Sequence, residues 1–198
     1  MRIAMFGGSF NPVHNGHIQL AKVFVKKLRI DKLIVVPAYV SPFKQSDNSV
    51  SPWQRFEMCR LAFENMPVAE VSDIEIKCEG ASYTYLTLEK LSELYPNSQL
   101  YLITGADMFL TVHQWKNPEM IFRLATICGV PRNNDDIAVL EKQGAFLHTL
   151  GAETEILDTC VMTVSSTQVR ESIKNRQDIA ALVPQKVEAY IRRSGLYT

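Results

Sequence analysis

The run Gly7-Gly8-Ser9-Phe10-Asn11-Pro12-Val13-His14-Asn15-Gly16-His17 constrains the fold more than any other part of the chain. Ile3, Ala4, Met5 and Phe6 precede it and read as a short buried strand. Ile18, Leu20, Ala21, Phe24, Val25 and Leu28 follow it at helical spacing. The glycines therefore fall where a first strand ends and a helix begins. Glycine lets backbone N–H groups approach an anion, and a helix N-terminus adds partial positive charge. His14 and His17, three apart in the first turn of that helix, can face the same bound phosphate. The combination reads as a nucleotide site.

Other readings of these residues are weaker. A P-loop requires Lys-Ser or Lys-Thr after its glycines, and none is present; nor does Gly7, Gly8, Gly16 fit the Gly-x-Gly-x-x-Gly of dinucleotide folds. A His-x-x-His pair binds zinc only with at least a third protein ligand, and no cysteine or carboxylate lies close in sequence. No residue is assigned to a metal.

At 198 residues, 46% apolar and 21% charged, the chain reads as one globular domain spanning 1–198. Lys+Arg and Asp+Glu are both 21, so no basic excess calls for a nucleic-acid polymer. Cys59, Cys78, Cys128 and Cys160 form no Cys-x-x-Cys and suit buried thiols in a reducing compartment. The apolar stretch before Gly7 is too short for a signal-peptide core, and no run approaches a membrane span. A soluble, cytoplasmic protein is expected, with a homo-oligomer left open.

Strand-like and helical patterns alternate along the chain. Strands are expected at Lys32–Val36, Val71–Ile76, Leu100–Thr104, Thr126–Val130 and Thr154–Leu157. Ser51, Pro52 and Gln54 make a capping box with proline at the first helical position. Ser82 is expected to cap a helix through Leu94, Asn117-Pro118 to open one through Leu124, and Asp135–Leu150 to form one weakened by Gly144. The expected fold class is α/β: a Rossmann-like, doubly wound, mostly parallel sheet with helices on both faces and a small helical C-terminal element from Val164. Gly105-Ala106-Asp107 and Pro131-Arg132 join the glycine loop at strand C-termini, where such sheets bind ligands.

Ser165-Ser166-Thr167-Gln168-Val169-Arg170 is the second chemical constellation. One of its hydroxyls can cap the following helix, and Arg170, one turn in, can reach an anion held at that end. Together with Gly8–His17 it resembles the nucleotidyltransferase superfamily with His-x-Gly-His and Ser-Ser-Thr-x-x-Arg motifs. The chain is most similar to the bacterial nicotinate mononucleotide adenylyltransferases. Further stretches carry that resemblance: Pro37-x4-Pro42-Phe43-Lys44, Ser82-Tyr83-Thr84, Gly105-x-Asp107 with Trp115, and Val183-Pro184 through Gly195-Leu196-Tyr197. Asn11 stands where that family commonly has aspartate, Leu86 replaces a common aspartate, and Arg132-Asn133-Asn134 replaces Arg-Pro-Gly.

The resemblance implies adenylyl transfer from ATP to nicotinate mononucleotide, with Mg²⁺ held mainly by the ATP phosphates. It implies that His14, His17 and Arg170 are catalytic, and that Gly7, Gly8, Ser9, Phe10, Gly105, Asp107, Ser166 and Thr167 join them around ATP. Lys44, Thr84, Trp115, Lys116 and Arg132 are implied at the second substrate, with Trp115 beneath the pyridine ring. Alternatives are a nicotinamide mononucleotide or phosphopantetheine acceptor, or a non-catalytic nucleotide sensor. A sensor would have no need of both histidines and Arg170. Class I tRNA synthetases share a similar His-x-Gly-His, but the chain is too short and too neutral for tRNA.

Overall fold

Continuous apolar runs form the middle strands because both of their faces are covered. In this computed structural model, which describes residues 1–40, 50–78, 80–131, 133, 136–159 and 164–198, β1 is Arg2–Gly8 and β2 is Lys32–Pro37. The strands β3 (Ala69–Val71), β4 (Gln99–Ile103), β5 (Ala125–Gly129) and β6 (Thr154–Ile156) follow. Ile3–Phe6, Leu33–Val36 and Leu100–Ile103 are buried without interruption, whereas β3 and β6, at the two edges, are short and partly exposed.

The strand order is β3-β2-β1-β4-β5-β6, and the pairings β1–β4, β4–β5 and β5–β6 are parallel. That order reverses direction between β1 and β4, the topological switch at which Rossmann-like sheets hold ligands. The helices are α1 (Asn15–Lys27), α2 (Pro52–Phe63), α3 (Thr84–Leu94), α4 (Ala106–Thr111), α5 (Pro118–Leu124), α6 (Asp136–Thr149), α7 (Ser166–Lys174) and α8 (Gln185–Arg193). Among the described residues, no helix is long and apolar enough to cross a membrane.

The chain divides into two compact units. The first comprises Met1–Gly7, Leu20–Ile34 and Tyr83–Val161; the second comprises Gly8–Gln19, Val35–Ser82 and Met162–Thr198. In the first unit, Thr104 is buried just past β4, and its Oγ1 and N–H both donate to the Cys128 carbonyl, at 2.8 and 2.9 Å. Gly144 is buried in α6, where a Cβ would come within 3.1 Å of Ile156 on β6. In the second unit, α2 carries the complete capping box, with Ser51 Oγ accepting from Gln54 N–H and Gln54 Oε1 accepting from Ser51 N–H.

Three sequence expectations shift. The alternation from Val71 to Ile76 is not a strand beyond Val71. Ser72 Oγ accepts the Ile74 N–H, Lys77 N–H donates to the Asp73 carbonyl, and Lys77 pairs with Asp73 at 3.0 Å. These local bonds compete with the ladder and turn the chain. Tyr83, not Ser82, precedes α3, because Ser82 is held by the residues past β2: its Oγ accepts from Tyr39 N–H and its N–H donates to the Val40 carbonyl. Finally, α4 opens at Ala106, just after Gly105, where no helix was expected, because its 6 residues are too few to show a period in sequence.

Phe109 of α4 is fully buried, and a Cβ on Gly129 would lie 2.7 Å from its ring. Gly129→Ala is therefore expected to overpack this contact by about 1–3 kcal/mol, lowering Tm by about 2–10 °C. An unchanged Tm in a thermal melt would show that the contact is loose.

Candidate active site

In the second unit, Gly8 sits where a side chain does not fit. A Cβ there would lie 3.1 Å from the tip of the Phe10 ring, which folds back over the turn. Phe10 is buried at φ 45°, a conformation that bulky residues seldom adopt. His14 precedes α1, and His17 Nδ1 accepts the His14 backbone N–H at 3.2 Å. This is the part that Glu or Gln plays at the third helical position of a capping box. An accepting Nδ1 puts the proton of the neutral imidazole on Nε2, so His17 offers a donor at that atom. The two imidazoles stack with centroids 3.6 Å apart, and Phe10 meets the His17 ring edge-on at 5.0 Å.

The Ser-Ser-Thr helix is set directly against this loop. Ser165 caps α7 by accepting the Gln168 N–H at 3.0 Å. Ser166 Oγ donates to the Pro12 carbonyl at 2.9 Å, and Arg170 Nη1 donates to the Asn11 carbonyl at 2.8 Å. Arg170 Nη2 also donates to Thr167 Oγ1 at 3.2 Å. The Tyr197 hydroxyl donates to Asn11 Oδ1 at 2.6 Å. Asn15 donates through its backbone to the Leu182 carbonyl and through its side chain to that of Ala181. The two motifs, whose bonded pairs lie 154 and 159 residues apart in sequence, are thus one assembly. It gathers two helix N-termini, two imidazoles and a guanidinium, groups suited to holding phosphate.

The other candidates within the described residues belong to the first unit. Gly7 is exposed in β1; Gly105 precedes α4 and Asp107 is exposed in its first turn. Thr84 is the first residue of α3 and is half-buried. Trp115 is half-buried after a 3₁₀ turn at Val112–Gln114, with its backbone N–H donating to the Val112 carbonyl, and Lys116 is exposed. Lys44 and Arg132 lie outside the described residues.

The cytidylyltransferase-like family matches residues 5–172. A probable nicotinate-nucleotide adenylyltransferase of Clostridium tetani is 36% identical over 197 residues, covering 98% of both chains. One from a Hydrogenobaculum species is 37% identical, covering 100% of this chain and 98% of its own. The chain belongs to the cytidylyltransferase-like family, among the nicotinate-nucleotide adenylyltransferases. Its fold is shared by the nicotinic acid mononucleotide adenylyltransferase of Plasmodium falciparum, solved with NaAD, at a TM-score of 0.81 and 19% identity. That match covers 99% of this chain and 97% of the other. A putative nicotinate-nucleotide adenylyltransferase of Vibrio parahaemolyticus matches at 0.71 and 21% identity, covering 99% and 94%.

In this family member, sequence reasoning left Arg55 and Tyr197 without site roles. Arg55 is buried on α2, and its guanidinium donates to the Ser9 and Tyr39 carbonyls. The available clue was a strong base placed four residues before Cys59 on a helix face that also buries Met58 and Phe63.

His17 caps α1 through Nδ1 and carries its proton on Nε2, and substitutions separate the cap from the donor role that the sequence assigns to it. His17→Ala should lower kcat at least about 10²-fold, the scale for losing one preorganised donor. It should also cost about 1 kcal/mol of stability through the lost cap. His17→Asn supplies an amide oxygen for the His14 N–H and should recover the stability without the turnover. Kinetics beside thermal melts check this; recovery of both by asparagine would limit His17 to capping.

Proposed function

We infer that the protein transfers the adenylyl group of ATP to nicotinate mononucleotide, giving nicotinate adenine dinucleotide and pyrophosphate, a step of NAD biosynthesis. The observation that carries this reading is the full-length similarity to nicotinate-nucleotide adenylyltransferases at 36–37% identity. The anion-holding assembly around His14 and His17 supports it chemically. The attacking 5′-phosphate is already anionic, so the reaction needs no general base. It needs two anions held in line and charge on the α-phosphate met by fixed donors. His17 Nε2, the backbone N–H groups of Ser9 and Phe10, Ser166, Thr167 and Arg170 are our candidates for that work. Gly7 and Gly8 allow the backbone to come close, and His14 supports His17 by stacking.

ATP enters as its magnesium complex, in which the cation neutralises phosphate charge and keeps much of its water. In this reading the ATP phosphates are the cation's main ligands. For the acceptor we assign Trp115 to the pyridine ring, and the backbone N–H groups of Thr84 and Lys116 to its carboxylate, the Trp115 N–H being taken by the Val112 carbonyl. Gly105 and Asp107 are assigned to ATP. A cytoplasmic setting belongs to this reading, and the buried Cys59 and Cys128, neither in a disulfide, suit a reducing compartment.

Donor-only N–H groups prefer a carboxylate to an amide, because the amide NH₂ would face them at about 1–3 kcal/mol per mispaired group. The acid should therefore be favoured at least about tenfold in kcat/KM. Trp115→Ala should weaken both mononucleotides and keep the preference, since stacking does not read the substituent. Pyrophosphate release from ATP with nicotinate mononucleotide, nicotinamide mononucleotide and phosphopantetheine tests the assignment. Equal use of acid and amide would overturn the nicotinate reading, and turnover with phosphopantetheine alone would overturn the function.

A further inference from the structure

We propose that Arg55 is a positioning residue for the phosphate loop: its buried guanidinium ties the Ser9 carbonyl to that of Tyr39 and so fixes the loop's donors before reaction. Nη1 donates to Ser9 O at 2.7 Å and Nη2 to Tyr39 O at 2.9 Å. Both lengths fall in the range of charge-assisted bonds. Ser9 lies one residue past β1 and Tyr39 two past β2. Ala38 N–H donates to the Gly8 carbonyl at 2.9 Å, and Tyr39 N–H donates to Ser82 Oγ at 2.9 Å. The guanidinium thus closes a link between two chain segments that are each already anchored.

An arginine in this place is costly if packing is its only role. Desolvation is the largest influence on its pKa and pulls it down, opposed by Cys59, Tyr197 and Glu75. Apolar side chains commonly replace buried ionic groups without loss of stability. They cannot hold two carbonyl oxygens. Arg55 grips Ser9 O while Arg170 grips Asn11 O, so one guanidinium holds the backbone on each side of Phe10, the residue at φ 45°. That conformation persists only where its surroundings over-determine it. The Ser9 and Phe10 N–H groups belong to the same stretch, so their placement depends on the clamp.

The proposal rests on the adenylyl-transfer reading for its kinetic consequence but not for its structural one. Arg55→Lys keeps the charge and the stem, yet an ammonium lacks the planar fork that spans two carbonyls. It should lower kcat at least about tenfold while KM for nicotinate mononucleotide changes less than about threefold, the split expected when only transition-state donors are loosened. Hydrogen exchange should rise in the peptide covering residues 8–15 and stay near wild type in α6, far along the chain. Should Arg55→Lys not fold, Arg55→Met gives the same two readings. Wild-type kcat in the folded variant, or exchange raised uniformly across the chain, would overturn the proposal. If wild type itself makes no dinucleotide, the functional reading fails and the exchange pattern still decides the role of Arg55.

Discussion

The carbonyl oxygens of a loop leaving a strand have no ladder to bond, and in this protein side chains from far along the chain take them. Arg55 holds Ser9 O, Arg170 holds Asn11 O and Ser166 holds Pro12 O. Backbone polar groups that lose water must find partners, and the choice of partners fixes which way the loop's N–H groups point. The loop's conformation is therefore not a property of its glycines alone. It is set by α2 and α7, and by the C-terminal residues through Tyr197 and Asn11.

Strain gathers at the same place. Phe10 and Tyr197 are both buried aromatics at positive φ, 45° and 66°. Each such residue costs about 1–3 kcal/mol and is kept only where neighbouring contacts enforce it. Phe10 packs over Gly8 and against His17, and Tyr197 anchors Asn11. The last residues of the chain therefore belong to the site's scaffold rather than forming a separate appendage. Asn11 offers its amide oxygen to the Tyr197 hydroxyl, so the clasp is a neutral hydrogen bond.

What the sequence made legible was what local chemistry determines. The continuous apolar runs mark β1, β2, β4 and β5, and Ser51 with Gln54 marks the start of α2. His14, His17, Ser166 and Arg170 stood out because those residue types do related chemistry near helix starts, and the structure brings their two segments together. Ser82 misled because its hydroxyl serves Tyr39, a partner 43 residues away. Val71–Ile76 misled because alternation is also compatible with a turn fixed by Ser72, Asp73 and Lys77. Arg55 stayed hidden since a charged residue on a helix reads as solvated until its two carbonyl partners are seen. Tyr197 stayed hidden because its partner is 186 residues away.

The central claim is that distant side chains set the loop on which His17 acts, and a double-mutant cycle on kcat tests it directly. Tyr197→Phe removes only the hydroxyl that holds Asn11, and His17→Asn removes the Nε2 donor. If the clasp works by placing the donors, Tyr197→Phe should slow wild type about fivefold or more and slow the His17→Asn enzyme less than about twofold. That corresponds to a coupling of roughly 0.5–1 kcal/mol, within the range seen for residues sharing a network. Effects that simply multiply, with the same loss from Tyr197→Phe in both backgrounds, would contradict the account.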